Sequence, residues 1–186
     1  VDGKIYVAGG RPPHGHEFAV YDPKADKWTA LPDLPSQRNH IAGALLNGKI
    51  HVVGGRLLGG FQSDKTAANE VYDPKTNVWS VAAPMLKARS GVNGTVAYGC
   101  WHVWGGEWAD GVFPDHDVYD VRADRWTHLP DMPVPVHGVT GAAFVDGLIR
   151  VPGGGIRNGG SSGTTLNQVY NPAMRDRKST RLNSSH

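Results

Sequence analysis

Two arginines stand at the same place in a repeated pattern, because Arg38 and Arg89 each follow a tryptophan by ten residues. A guanidinium group can bind a carboxylate through two parallel hydrogen bonds, so this pair predicts a site for acidic groups. The alternative is a structural role, in which each arginine bonds loop carbonyls of the neighbouring repeat. A later repeat has Val136 at the equivalent position, with His137 beside it, so the set of arginines is incomplete.

The segment 107–116 combines aromatic and acidic residues more densely than any other loop. Trp108 and Phe113, flanked by Glu107 and Asp110, would form a good recognition patch if they were exposed. The alternative is that the two rings pack the loop down onto the protein. Further polar residues that extend the rim of such a site, or are simply solvated, are Arg11, His14, His16 and Arg56.

Motifs for catalysis or metal binding are weak in this sequence. The short clusters 14–16 and 115–117 have no partner at a spacing known for metal ligands. The single cysteine, Cys100, excludes an intramolecular disulfide framework and a multi-cysteine zinc site. No nucleophile elbow, phosphate loop or pair of catalytic carboxylates is present. We therefore expect no cofactor and no metal, and we favour a binding function over an enzymatic one.

The elements that must position these residues come from an internal repeat of about 50 residues. Tyrosines recur at spacings of 51, 47 and 51, and a tryptophan stands seven residues after each of the first three. Glycine pairs recur in the same register. The repeat markers are Gly9, Gly10, Tyr21, Trp28, Gly54, Gly55, Tyr72, Trp79, Gly105, Gly106, Tyr119, Trp126, Gly153, Gly154 and Tyr170.

Each repeat is predicted to consist of short antiparallel strands. Apolar runs such as 49–53 are bounded by glycine on both sides, which is typical of strands. Asn47-Gly48 and Asp146-Gly147 predict two-residue hairpin turns, because both central residues of that turn need positive φ. The 25 glycines and 13 prolines among 186 residues disfavour a helical bundle, and a hydrophobic fraction of 39% disfavours disorder.

These features resemble the kelch repeats, which belong to the galactose oxidase-like propeller superfamily. The resemblance rests on residues 3–10 (GKIYVAGG), on Tyr72-Asp73-Pro74 with Trp79, and on Pro84-Met85 followed by Arg89. It covers residues 1 to about 174. It implies an all-β propeller of four-stranded antiparallel blades, with an inner strand here at about 38–46. About three and a half blades are present, with boundaries near residues 36, 87 and 134.

The resemblance also implies where function lies. Kelch-like propellers often place an arginine near the central opening, at the position of Arg38 and Arg89. The loops between the second and third strands (11–18, 56–69, 107–117 and 155–167) open on one face and vary in length. We expect a binding module for a protein or a glycan on that face. One alternative is a sugar-modifying enzyme similar to bacterial sialic-acid epimerases, with contributions from Arg38, Arg89 and His137. Another is a structural propeller of a larger adhesion or scaffold protein.

Copper radical oxidases have kelch-like propellers too, but no motif ties Cys100 to a tyrosine as that chemistry requires.

The last residues, 175–186, carry no repeat marker and are predicted to be a disordered tail foreign to the native protein. Arg177 stands where the next tryptophan is due. Three of the 19 basic residues, Arg177, Lys178 and Arg181, lie in its last ten residues (177–186), so the remaining 16 basic residues face 17 acidic ones. The formal net charge of +2 therefore gives no reason to expect nucleic acid as a partner. Because the sequence has no apolar run of membrane-spanning length, we expect a soluble protein without membrane insertion. The sequence does not assign its compartment. Besides a protein or glycan ligand, the expected partner is the remainder of the propeller.

Overall fold

The computed structural model describes residues 1–60, 63–139 and 141–173, and in these residues every extended element belongs to an antiparallel sheet. Four sheets follow one another along the chain. Sheet 1 contains β1 (Ile5–Ala8), β2 (Phe18–Asp22) and β3 (Lys27–Ala30). Sheet 2 contains β4 (Ala42–Leu46), β5 (Lys49–Val53), β6 (Asn69–Asp73) and β7 (Val78–Ala82).

Sheet 3 repeats the order of sheet 2 and carries an additional small hairpin. Its strands are β8 (Asn93–Ala97), β9 (Cys100–Trp104), β12 (His116–Asp120) and β13 (Arg125–Leu129). The hairpin, β10 (Glu107–Trp108) with β11 (Gly111–Val112), lies between β9 and β12. Sheet 4 contains β14 (Ala143–Val145), β15 (Leu148–Pro152) and β16 (Asn167–Tyr170). The predicted all-β architecture of four-stranded antiparallel units, with partial units at both ends, is confirmed.

The turn chemistry of the sequence determines the register of the sheets. Asn47 and Gly48 have φ of 49° and 76°, and Asp146 and Gly147 have φ of 51° and 75°, as the predicted hairpin turns require. At the next turn of each complete unit, the tyrosine hydroxyl donates to a residue five positions later. Tyr72 Oη lies 2.6 Å from Asn77 Oδ1, and Tyr119 Oη lies 2.8 Å from Asp124 Oδ1.

The core lies between neighbouring sheets and is filled by the repeat markers. Tyr72, Tyr119 and Trp126 are buried. Trp101 and Trp126, both on sheet 3, pack against each other in a core that sheets 2 and 3 share. A second cluster joins sheets 3 and 4. Tyrosine and tryptophan therefore fill the space between these sheets, whereas Trp28, on the outer strand of sheet 1, is 55% exposed.

The predicted inner strand at 38–46 is wrong in its first four residues. Strand β4 begins at Ala42, and in the preceding residues only Asn39 forms a β-bridge, with Arg56. The reason is His40, which has a φ of 58°. A left-handed residue cannot continue a strand, so the strand starts only after it. The division of the chain near 36, 87 and 134 and the foreign nature of the tail remain proposals, and the tail, residues 175–186, lies outside the described residues. No helix in the described part of the chain is long and apolar enough to span a membrane.

Candidate binding pocket on the loop face

The loops between the second and third strands of the sheets surround a pocket of about 670 Å³. Its arginine, histidine and glutamate side chains come from five different loops or connections, namely Arg11, His40, Arg56, Glu107 and His137. One wall is backbone from the loop of sheet 4, including Gly153–Gly155, Gly159 and Gly160. Because glycine has no side chain, the backbone N–H groups of this wall lie close to any ligand in the pocket.

The repeat itself delivers these side chains. Arg11, Arg56 and Glu107 each follow directly after a glycine pair, where the second strand has ended. In sheet 2 the segment that enters the sheet then pairs with this residue, because Asn39 and Arg56 exchange backbone hydrogen bonds of 3.0 and 2.9 Å. Ser90 pairs with Glu107 in sheet 3 in the same way. The residue that directly follows the glycine pair therefore lies at the same pocket in consecutive repeats.

A series of polar contacts crosses the pocket. The Nη2 atom of Arg56 lies 3.6 Å from Oε1 of Glu107, and Oε2 of Glu107 lies 3.4 Å from Nδ1 of His137. The backbone N–H of Gly159 donates to Oε2 of Glu107 at 2.7 Å. The carboxylate thus links three sheets, and it orients both the arginine and the histidine.

One nitrogen of the Arg56 guanidinium makes no hydrogen bond to the described residues. Its side chain is only 3% exposed, yet Nη1 has no hydrogen-bond partner among the described residues. A buried guanidinium donor without an acceptor is costly, and an acceptor entering the pocket would remove that cost. Burial lowers the pKa of Arg56, but arginine keeps its charge in proteins.

His40 contributes an uncharged ring to the same pocket. Burial, together with the positive charges of Arg56 and Arg11, lowers the pKa of His40 from 6.5 to about 4. Two arginines against one carboxylate therefore leave the pocket with a positive excess at neutral pH. The sequence interpretation missed His40. A signal was available, because its counterparts in the next repeats are Gly91 and Gly138, which also have positive φ.

Arg38 and Arg89 are not in the pocket, and the prediction that they contact a ligand is wrong. Both side chains are 0% exposed. Arg38 donates to the carbonyls of Val52, Gly54 and Ala68, each at 3.1 Å, and pairs with Glu70 at 2.9 Å. Arg89 repeats this arrangement, donating to the carbonyls of Gly105 and Asp115 and pairing with Asp117. The structural alternative therefore holds, although the carbonyls belong to the arginine's own sheet and not to the neighbouring one.

The aromatic residues of the loop 107–116 pack down instead of forming the exposed pair of the prediction. Phe113 is buried, and Lys87 Nζ lies 4.1 Å from its ring centre. Trp108 is half-buried, with Lys65 Nζ 3.2 Å from its ring centre and its indole N–H donating to Ser63 O at 3.3 Å. Asp110 remains exposed but does not line the pocket. Within the described ranges, no group of three or more histidine, cysteine, aspartate or glutamate residues is arranged to hold a metal ion.

The chain is similar in sequence to kelch proteins. Residues 37–86 match the family model described as Kelch motif. The Kelch-like protein terF of Aspergillus terreus is 31% identical over 95% of this chain and 40% of its own length. Kelch-like protein 36 of Mus musculus is 28% identical over 73% of this chain and 24% of its own length. The chain therefore spans less than half the length of either relative.

One solved structure, titled "Structure of YjhT", superimposes with a TM-score of 0.73 and covers 86% of this chain and 57% of its own. The two sequences are 18% identical, so this likeness concerns the fold alone.

Proposed function

The chain belongs to the kelch-repeat β-propeller family, and we propose that it is a recognition module that binds a partner through the loop face around this pocket. The observation that carries the proposal is Arg56, a buried side chain with an unpaired Nη1 in a pocket of positive excess. The chemical group that fits it is a carboxylate, which accepts from the guanidinium and is attracted by the charge.

The size and composition of the pocket support this proposal. A volume of about 670 Å³ lies in the range of small-ligand sites. Arg11 is exposed at the rim, where it can attract an acidic group before the group reaches Arg56. The pocket would accept an acidic side chain of a protein partner or the carboxylate of an acidic sugar, and these two sources share the same contacts.

Titration of the full chain with matched probes tests this function. The probes are a glutamate-containing peptide, the same peptide with glutamine, N-acetylneuraminic acid and its methyl ester, each followed by calorimetry. We expect one of the two carboxylates to bind and its neutral partner to bind at least tenfold more weakly. Arg11→Ala should weaken that binding without affecting folding, since Arg11 is exposed, whereas Arg122→Ala on the outer surface should leave it unchanged. Equal binding of the charged and neutral probes would overturn the proposal.

A second function, modification of an acidic sugar, is favoured by one specific contact. Glu107 and His137 lie within 3.4 Å in the pocket, and such a pair can hold or move a proton. Interconversion of sugar anomers takes a proton from the anomeric hydroxyl and delivers one to the ring oxygen, so it needs no cofactor. Exchange between the anomers of N-acetylneuraminic acid, followed by NMR, should accelerate with the chain and not with Glu107→Gln. Unchanged exchange would leave binding as the function.

A further inference from the structure

His40 is a left-handed residue at a position where the next two repeats have glycine. Its φ is 58°, and the equivalent Gly91 and Gly138 have φ of 65° and 60°. One backbone series joins the three residues, because the Gly91 N–H donates to His40 O and the Gly138 N–H donates to Gly91 O, both at 2.9 Å. Since two repeats meet the same backbone requirement with glycine, the fold does not need the histidine side chain.

A side chain at this position of the repeat faces the pocket. A Cβ atom built on Gly91 would lie 3.5 Å from Cγ of Glu107 and 3.5 Å from Nδ1 of His137, which are ordinary contact distances to two pocket side chains. His40 itself lines the pocket beside Arg56. A left-handed residue that is not glycine is unfavourable, and such residues concentrate at functional sites, so the contacts of the His40 ring indicate what it does.

The hydrogen bonds of His40 determine both its tautomer and the orientation of Arg56. Nη2 of Arg56 lies 2.5 Å from Nε2 of His40, and because a guanidinium can only donate, Nε2 is the acceptor. Nδ1 of the uncharged ring then carries the proton and donates to Oδ1 of Asn39 at 2.5 Å. The same Asn39 oxygen accepts from Nε of Arg56 at 3.3 Å. His40 and Asn39 therefore hold two of the three nitrogens of the guanidinium.

This arrangement leaves Nη1 as the nitrogen of Arg56 that can meet a ligand. Nη2 also faces Oε1 of Glu107 at 3.6 Å, whereas Nη1 has no hydrogen-bond partner among the described residues. A guanidinium that is already held loses less conformational entropy when a carboxylate binds, so the complex is stronger. An uncharged ring provides this hold without adding a negative charge that would repel the carboxylate.

We propose that His40 is a positioning residue of the carboxylate site, which accepts from Nη2 of Arg56 and thereby directs Nη1 towards the ligand. The inference rests on the proposed function, because it assigns His40 a role in carboxylate recognition. His40 need not touch the ligand, since it acts through Arg56. The histidine is present in repeat 2 because that repeat carries the arginine, whereas the equivalent positions in the next repeats are Glu107 and Gly155.

Two substitutions of His40 that differ in reach test this role. In His40→Gln the side-chain carbonyl can take the place of Nε2 and accept from Arg56. In His40→Asn the amide ends at the place of Nδ1, and asparagine tolerates the positive φ. The full chain is labelled with ¹⁵N-arginine, and the Nη signals of Arg56 are assigned by their loss in Arg56→Gln.

A held guanidinium rotates slowly about its C–N bonds and gives separate Nη1 and Nη2 signals. We expect separate Arg56 signals in the wild-type chain and in His40→Gln, and averaged signals in His40→Asn. Arg38 and Arg89, whose guanidinium groups are held by carbonyls and a carboxylate, are internal controls and should keep their signals in every variant.

Calorimetry with the carboxylate probe that binds the wild-type chain is the second measurement. We expect His40→Asn to bind it at least tenfold more weakly and His40→Gln to bind it within about threefold of wild type. Asn47→Gly, which changes a left-handed residue of an exposed turn outside the pocket, is the matched control and should bind as wild type.

The two measurements separate this inference from the proposed function. Wild-type affinity in His40→Asn, or Arg56 signals that stay separate in that variant, would overturn the positioning role. If neither carboxylate probe bound the wild-type chain, the proposed function would fail, and the Arg56 signals alone would decide whether His40 holds the guanidinium.

Discussion

Arg56 and Glu107 approach within 3.6 Å across the boundary between sheets 2 and 3, and both side chains are 3% exposed or less. Each follows the glycine pair of its own repeat, so the contact joins equivalent positions of neighbouring units that carry opposite charges. Glu107 neutralises part of the charge on Arg56, whose buried Nη1 atom has no hydrogen-bond partner among the described residues. The pair is therefore the centre of the proposed site, and its two members should respond differently to substitution.

Neutralising either member of the pair should change carboxylate binding in opposite directions. Arg56→Gln removes the donor and the positive charge, and we expect the probe that binds the wild-type chain to bind at least tenfold more weakly. Glu107→Gln keeps the shape and can still accept from the Gly159 N–H, but it removes the competing negative charge, so affinity should rise. Calorimetry at one fixed ionic strength measures both changes. Parallel changes in the two variants would contradict the assignment.

Breaking the buried pair of sheet 2 should affect stability. Arg38→Leu leaves the Glu70 carboxylate buried without its cation and removes three hydrogen bonds to backbone carbonyls, and we expect a loss of about 3–5 kcal/mol in the free energy of unfolding. Urea denaturation measures this loss, and Arg122→Ala on the surface, expected within about 0.5 kcal/mol of wild type, is the control. A wild-type midpoint for Arg38→Leu would show that the arginine is not structural.

Acidification should destabilise the fold through His40. Its pKa is about 4 in the folded chain and 6.5 as its ordinary value, so between these values the unfolded chain binds a proton that the folded chain does not. The His40 contribution is therefore constant above pH 6.5 and is lost progressively as the pH falls towards 4. His40→Asn removes it while tolerating the positive φ. Urea midpoints at pH 7.0, 5.5 and 4.5 should fall less steeply for the variant, and identical slopes would refute this role.

Close approach of the backbone at the glycine pair should make Gly54→Ala destabilising. Gly54 has a φ of 64°, and a Cβ atom there would lie 2.8 Å from Arg89 O. The left-handed conformation alone costs about 1–2 kcal/mol for an alanine, and the contact adds to it. Gly160→Ala, where a Cβ atom would meet nothing within 4 Å, is the matched control. Thermal unfolding of both variants should show a lower Tm for Gly54→Ala alone.

Most of the fold was predictable because its determinants are local and recur. The turn at Asn47-Gly48 needs two residues with positive φ, and few residue types adopt it, so these two residues predict the hairpin. The tyrosines and tryptophans recur in one register because each fills the same space between sheets. The inner strand was misjudged at its start because a histidine, and not a glycine, occupies the left-handed position at residue 40.

The candidate site was only partly predictable. Arg11, Arg56, Glu107 and His137 were among the predicted residues, and the structure brings them to one pocket. Arg38 and Arg89 were also predicted, since residue type and spacing cannot distinguish a guanidinium that faces a cavity from one that faces backbone carbonyls. The same ambiguity applied to Phe113, which is buried with Lys87 Nζ close to its ring.

By itself the sequence determined the repeat, the strand order and the turns, because these follow from φ preferences and from apolar side chains at fixed spacing. Only the tertiary structure decided which charged groups line the pocket. Stacking of the sheets brings Arg56 to Glu107 and His137, whereas Arg38 is enclosed among the carbonyls of its own sheet. The contacts of Glu107 with Arg56 and His137 join repeats that are distant in sequence, so no single repeat contains that information.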